Sequence, residues 1–519
     1  MQTIPLLFRR SVERFGARPA LIEPIEGNEI SSLTYQDLQE RAYSFAGYLQ
    51  GQPITKGERL IIWSPSRIDW LVTYLGSLLV GLVVVPLDVN SKEDFLRRIA
   101  ETTEAKFLVT TRKQYEGLHE PPLPLIDLDA LPQGTFDAQK LPELQQDDLA
   151  ELVFTSGTTG LPKGVMLSHH NIVSNATAAL KVIDVRASDR ALSILPLSHM
   201  FEMTIEIALL CAGASIVYAR SLVPDTLLKL FVSQQVTCMV LVPQALQLFM
   251  NAIEREVRRQ KREQQWALLH RFAARIPFSM RRYLFGAVHK RFGGHFRFFV
   301  SGGAYLPPQL GYQWEEMGFR VIQGYGATEC SPVISANPMH DHDLESVGRP
   351  LPGIEVRIAV DKEILVHGPN VALGYWKNPE ATALAFKDGW YYTGDLGYMD
   401  HRQHLYLKGR KKNLIVLSNG LNVYPEDIEN ILQEFAGVKE AVVIGLTEDG
   451  KGPEVHAVLL MDHPEQAKSI VQQANKRLAS HQQIKGFTIW PEPDFPRTNT
   501  LKVKRQDVLA LMPEMRQKK

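Results

Sequence analysis

Short β-branched runs alternate with helix-length amphipathic stretches along most of this chain, and that rhythm limits the folds open to it. Tyr35–Leu49 carries a helical apolar stripe, Arg59–Trp63 reads as a strand, and Phe107–Thr110 and Leu125–Leu128 as further short strands. The pattern returns at Ser215–Val217, Cys238–Val242, Phe296–Val300 and Arg320–Gln323. Strands separated by helices of this length make βαβ units and a mainly parallel sheet. At 519 residues the chain is also too long for one ordinary core, so two or more domains are expected. After Tyr391 the texture shifts to short strands and turns. Gly409–Asn413 reads as a polar connector. Beyond it come helices at Pro425–Phe435 and Pro464–Ala479 and strands at Ala441–Gly445 and Val455–Leu460. The expected fold is α/β: a large N-terminal domain of βαβ-type subdomains over residues 1–410, then a small α+β domain over 411–519.

Composition narrows the class. Fifty-seven basic and 57 acidic residues cancel, which argues against a dedicated nucleic-acid binder. Cys211, Cys238 and Cys330 are far apart, in neither disulfide nor zinc spacing, and suit a reducing cytoplasm. The first residues reach Arg9 and Arg10 after a very short apolar stretch, so no export signal is read there. Trp70–Leu87 is long and uncharged enough to imitate a membrane span. Gly81 divides it, however, and the β-branched run ending at Pro86 predicts a core helix followed by a core strand.

One region departs from the neutral balance. Residues 251–297 hold twelve lysines and arginines against three acids, with apolar residues such as Trp266, Leu269, Phe272 and Val288 at roughly helical spacing. Two readings stay open. A basic amphipathic helix lies on an anionic membrane or docks an acidic partner; alternatively, the segment is a solvated face packed on its own domain.

The strongest chemical signal is Leu152-Val-Phe-Thr-Ser-Gly-Thr-Thr-Gly-Leu-Pro-Lys-Gly164. A strand empties into a loop rich in glycine and hydroxyls and closed by a lysine. Small residues let backbone N–H groups crowd a phosphate, hydroxyls add donors, and Lys163 adds charge. Pro162 stands where the usual P-loop has its lysine-bearing pair, and Phe154 where a nucleophile elbow has its first glycine.

On this stretch the chain resembles the adenylate-forming superfamily of acyl-CoA synthetases, peptide-synthetase adenylation domains and luciferases. The resemblance implies that Thr155, Ser156, Gly157, Thr158, Thr159, Gly160 and Lys163 hold ATP phosphates. It implies that Gln323-Gly-Tyr-Gly-Ala-Thr-Glu329 is the adenine and metal loop, with Tyr325 against adenine and Gly324 and Gly326 also binding ATP or AMP. Thr328 would then contact the α-phosphate and Glu329 hold Mg²⁺, a cation that favours carboxylate and phosphate oxygens. Asp395 and Arg410 correspond to its ribose-binding pair, Lys412 to its hinge, and Gly420 to the loop lining its thiol tunnel. Lys502 corresponds to its adenylation lysine, although Leu501 replaces the usual preceding glycine; Lys504 is the fallback. His199 matches its gate beside the carboxylate, and Gly302, Gly303 and Ala304 its acyl-pocket floor. The small domain is accordingly expected to be mobile. His340-Asp-His-Asp343 looks metal-like but is expected to be a solvent-exposed loop.

Ser198–Glu202, the basic segment and Gly409–Gly420 resemble long-chain fatty acyl-CoA synthetases in particular. The implied reaction activates a fatty acid as its adenylate and passes the acyl group to CoA, using ATP and Mg²⁺. A cytoplasmic enzyme in peripheral membrane contact through 251–297 would fit. Two rivals stay open: an acyl-carrier protein as the thiol, and a non-catalytic fatty-acid-binding or uptake protein.

Overall fold

The computed structural model describes residues 2–24, 30–155, 162–419, 421–447, 453–497 and 503–517. The chain divides into two compact units. One comprises Met1–Val356 with Val366–Tyr391, the other Arg357–Leu365 with Tyr392–Lys519. The chain passes between them inside the strand Trp390–Met399, because Leu405–Arg410 pairs with the later part of that strand.

The N-terminal unit holds two large sheets. In the seven-stranded sheet Arg59–Trp63 lies parallel between Val83–Leu87 and Phe107–Thr110. Val83–Leu87 is buried along its whole length, as a parallel strand covered on both faces must be. The span-like stretch resolves into the helix Ile68–Leu79 and this strand, turned by Gly81 at φ +77°. No described helix is long and apolar enough to cross a membrane. The nine-stranded sheet runs Arg349–Pro350, Val333–Ala336, Arg320–Gly326, Phe298–Ser301, Cys238–Leu241, Arg190–Ser193, Ser215–Tyr218, Pro19–Pro24, Ile30–Thr34. Its central strands are parallel, so their carboxyl ends share one edge, where α/β sheets bind ligands.

The basic segment is not one amphipathic helix. It breaks into Pro243–Arg259, Glu263–Ala273, Phe278–Leu284 and Gly286–Arg291. Pro277 precedes the third helix and Gly286 opens the fourth. Ala273, Phe285, Phe292 and Phe296 are buried in the core beneath the nine-stranded sheet, so much of the apolar content is structural. Leu268, Phe272, Met280 and Tyr283 stay exposed.

The C-terminal unit centres on a three-stranded sheet. Val438–Leu446 lies antiparallel to Glu454–Met461, which pairs in parallel with Gly486–Ile489. The helices Pro425–Gln433 and Ala467–Arg477 supply Ile428, Leu432, Ile470 and Ala474 to its core.

Candidate active site

In the N-terminal unit, Leu149–Thr155 and Lys163–Ser168 form an antiparallel hairpin with Thr155 opposite Lys163. The Thr155 hydroxyl donates to the Lys163 carbonyl at 3.5 Å. Both residues therefore sit on strand ends bracketing the loop. Ser156, Gly157, Thr158, Thr159 and Gly160 lie outside the described residues.

Gly374–Tyr375 adds a further strand against Val165 and Met166, and the Trp376 N–H donates to the Gly164 carbonyl at 2.7 Å. This seats the Tyr375 ring under the Lys163 ammonium, Nζ being 4.8 Å from the ring centroid. The Tyr375 hydroxyl in turn donates to Glu329 Oε1 at 2.8 Å. A cation and a carboxylate from distant parts of the chain thus converge on one tyrosine. Burial, then the Glu329 charge, push the Tyr375 phenol well above its usual range, so it stays a donor.

The turn carrying Thr328 and Glu329 is secured from behind. Ser331 Oγ donates to the Asn370 carbonyl at 2.8 Å, and Asn370 Nδ2 donates to the Cys330 carbonyl at 2.8 Å. Asn175 bonds Val333 through both its amide atoms. Gly324, Tyr325 and Gly326 form the carboxyl end of Arg320–Gly326, paired antiparallel with Val333–Ala336. A Cβ at Gly326 would lie 1.8 Å from the Pro332 carbonyl oxygen, so only glycine fits. The half-buried Glu329, oriented by Tyr375 beside Lys163, has the chemistry of a Mg²⁺–phosphate site. No group of three or more metal-ligating side chains occurs among the described residues.

His199 is the N-cap of the helix Met200–Ala212, with Nε2 3.7 Å from Asp88 Oδ2. Burial opposes ionisation of Asp88, but bonds from His199 and the Asn90 N–H outweigh it and hold the carboxyl below its usual range. Phe201, two residues on, covers Gly302: a Cβ there would be 2.9 Å from the ring. Gly303 follows at φ +78°, turning the chain out of the strand towards Ala304. The structure therefore brings the His199 helix and the Gly302–Ala304 turn together. Of His340–Asp343, His340 and Asp341 are exposed as expected, but the structure corrects the reading of His342. His342 is not solvent-exposed, because its Nε2 lies 2.9 Å from Glu315 and its ring is also bonded by Arg320.

In the C-terminal unit, Asp395 and Arg410 face each other across paired strands, Arg410 Nε lying 2.5 Å from Asp395 Oδ1. Asp395 is buried; Arg410 is 46% exposed. Lys412 sits in the 3₁₀ turn Lys411–Asn413 directly after that strand. Burial, then the Arg410 charge, lower its ammonium pKa. Its neighbour Lys411 is held by Asp361 at 2.6 Å and Glu363 at 2.8 Å. Gly420, Leu501 and Lys502 lie outside the described residues. Arg497 and Val503, which flank the last two in sequence, form an isolated antiparallel bridge, and Lys504 Nζ lies 3.8 Å from Asp507.

With this geometry in place, the AMP-binding enzyme family matches residues 8–376, and the AMP-binding enzyme C-terminal domain matches residues 412–514. The chain belongs to the AMP-binding enzyme family. It is similar to the long-chain-fatty-acid–CoA ligase FadD15 of Mycobacterium bovis, with 29% identity over 88% of this chain and 86% of that one. A long-chain-fatty-acid–CoA ligase of Escherichia coli O157:H7 is 26% identical over 98% and 94%. Among solved structures, ATP-bound MatB from Rhodopseudomonas palustris superposes with a TM-score of 0.81 at 26% identity, each chain 98% covered. The o-succinylbenzoate CoA synthetase of Bacillus subtilis, in complex with its acyl-adenylate, gives 0.80 at 26% identity and 98% coverage of each chain. This member of the AMP-binding family therefore has acyl-CoA ligases as relatives whose acids differ.

Sequence reasoning missed Tyr375, Asp88 and Phe201. Tyr375 lies in a two-residue strand and Asp88 just after the strand Val83–Leu87, neither within a motif. Phe201 stood inside a quoted motif, but only its contact with Gly302 gives it a role.

Proposed function

We propose that this chain is an AMP-forming fatty acid–CoA ligase acting on long-chain acids. The observation that carries the proposal is the Lys163–Tyr375–Glu329 chain, which brings a cation and a carboxylate onto one tyrosine at the end of the Leu149–Ser168 hairpin. Support for the fatty-acid substrate comes from the apolar Phe201 ring over Gly302 and from the names of the two ligases above.

In this reading the fatty carboxylate attacks the α-phosphorus of ATP and pyrophosphate departs. Lys163, Thr155 and the loop N–H groups bind the phosphates, Thr328 and Lys502 stabilise charge at the α-phosphate, and Glu329 holds the Mg²⁺ that neutralises the phosphate chain. Tyr325 rests against adenine, while Asp395 and Arg410 hold the ribose. His199, oriented by Asp88, borders the carboxylate. The small domain then turns at Lys412, Gly420 borders the incoming thiol, and the thiol attacks the acyl carbonyl. Its proton passes to solvent and AMP leaves. AMP is a good leaving group, so no protein base is assigned.

The exposed Leu268, Phe272, Met280 and Tyr283, set among Arg271, Arg275 and Arg282, support peripheral contact with an anionic membrane from the cytoplasm. An acidic acyl-carrier protein is the second reading of the same basic surface. Pyrophosphate release from ATP, followed with graded fatty acids and with CoA or carrier protein, tests the proposal. Acid-dependent release accelerated by CoA is expected. Release accelerated only by carrier protein would transfer the reading to that thiol, and no release with any acid would defeat it.

A further inference from the structure

One carboxylate of the C-terminal unit is tied in two directions. The strand Glu363–His367 lies beside Trp390–Met399, which in turn pairs with Leu405–Arg410. Glu363 is buried at the start of its strand and reaches both neighbours. Its Oε1 accepts the Gly394 N–H at 3.0 Å, and its Oε2 accepts from the Lys411 ammonium at 2.8 Å. The turn before Asp395 is fastened again by Thr393, whose hydroxyl donates to the Ile364 carbonyl at 2.8 Å and accepts the Asp395 N–H at 3.0 Å. Asp361 gives Lys411 a second acceptor at 2.6 Å. Asp361, then Glu363, hold the Lys411 ammonium well above its ordinary range. On the far side of Lys412, Asn413 Nδ2 donates to Glu426 Oε1 at 3.0 Å. Glu426 lies in the first turn of the helix Pro425–Gln433, whose Ile428 and Leu432 belong to the small core. Lys411 is thus fastened to one strand and Asn413 to one helix. Between them the Lys412 side chain makes no hydrogen bond or ion pair among the described residues.

We infer that Glu363 is a positioning residue that couples nucleotide occupancy at Asp395 to the Lys411 tether, and so confines rotation to Lys412. The inference rests on the ribose and pivot assignments proposed above and deepens them. A carboxylate is a rigid plane with two acceptor oxygens, so a shift at one oxygen is a shift at the other. Both oxygens of Glu363 already hold a donor, and in a buried group a lost partner leaves a desolvation cost behind. A ribose that steadies Asp395 therefore steadies the Gly394 N–H, the carboxylate it meets and the Lys411 ammonium beyond. Exposed ion pairs are worth little, but here the acceptor is 8% exposed although Lys411 is 49% exposed. With both neighbours fastened, the φ and ψ of one residue must absorb the turn, as in other hinges. Linkage also runs backwards: freeing Lys411 must weaken ATP binding by the factor that ATP strengthens the tether.

Hydrogen exchange of the Lys411–Leu414 amides tests this, with saturating ATP and Mg²⁺ as the probe and thermal melting as the folding control. In the wild-type protein ATP should slow exchange there by about tenfold, the worth of one charge-assisted bond. A carboxamide offers one acceptor where a carboxylate offers two, so Glu363→Gln satisfies Gly394 or Lys411 but not both. That variant should bind ATP more weakly and, once saturated, lose the slowing. Lys411→Met should do the same, whereas Lys411→Arg, which keeps the charge and the donors, should respond as the wild type does. If Glu363→Gln does not fold, the two Lys411 variants decide. A wild-type protein whose exchange ATP leaves unchanged would overturn the inference, and so would folded Glu363→Gln or Lys411→Met proteins that ATP protects fully. A protein that binds ATP yet releases no pyrophosphate with any fatty acid would remove the fatty-acid reading, and the exchange result would still judge Glu363.

Discussion

Lys163 and Glu329 are held by a tyrosine between them and by a frame of buried bonds, whereas Asp395 and Arg410 form an ion pair across the end of a strand pair, with Arg410 46% exposed. The first arrangement is preorganised. Its charged groups are aimed by partners that a ligand need not displace, so interactions made in the transition state cost little reorganisation. The second is an ion pair with one partner half exposed, and a ligand must compete with that pair and with salt. Under the function proposed above, rigid support lies where charge would move during reaction, and a partly exposed pair where a ribose would be held.

Substitutions separate the two modes. Lys163→Ala or Glu329→Gln should reduce acid-dependent pyrophosphate release by about 10²–10³-fold, chiefly in kcat, as for loss of one preorganised electrostatic group. Equal loss in KM alone would erase the distinction drawn here. Asp395→Ala should act mainly on the KM for ATP, raising it by roughly ten- to a hundredfold, consistent with loss of a charge-assisted bond of about 1.5–3 kcal/mol. Its effect should shrink in high salt, and steady-state kinetics at two ionic strengths will register this. Tyr375→Phe sharpens the contrast, because it keeps the ring under Lys163 and removes only the donor to Glu329. A fall of about three- to tenfold in kcat is expected, the worth of one hydrogen bond of about 1 kcal/mol.

The smallest effect concerns stability behind the phosphate loop. Glu151, on the strand leading to Thr155, accepts a bond from the Tyr74 hydroxyl. Burial pushes its carboxyl from 4.5 up to about 7, against the pull of that bond. A raised acid binds its proton more tightly when folded. Its stability contribution is thus full below 4.5 and lost as pH rises towards about 7. Glu151→Gln should flatten the decline of melting temperature over that window. A decline as steep as in the wild-type protein would show that Glu151 is ionised throughout.

Much of the molecule was legible in the amino-acid order because the signals are local. Arg59–Trp63 and Phe107–Thr110 form where β-branched alternation places them, and Gly81 divides the span-like stretch at a positive φ that glycine adopts without strain. The phosphate hairpin and the Asp395–Arg410 pair sit on strands whose ends the motifs marked. What escaped is non-local. Tyr375 joins residues some two hundred positions upstream to Glu329, and no periodicity carries that information. In 251–297 the helical spacing was real, but Pro277 and Gly286 cut it into short helices whose apolar residues are partly claimed by the sheet. His342 looked solvated because a polar loop gives no hint that Glu315 and Arg320 enclose it.

The helix Met200–Ala212 presents unlike chemistry in different directions, apolar towards Val300 and acidic towards Tyr218. Because each residue turns a helix by about 100°, inserting or deleting a single residue before Ile205 would rotate every later side chain off its partner. Glu206 would leave Tyr218, and Ala208 and Leu209 would leave the face that packs near Val300. Evolutionary change in this element is therefore confined to substitution at constant length: either face can drift by itself, but the register between them is fixed.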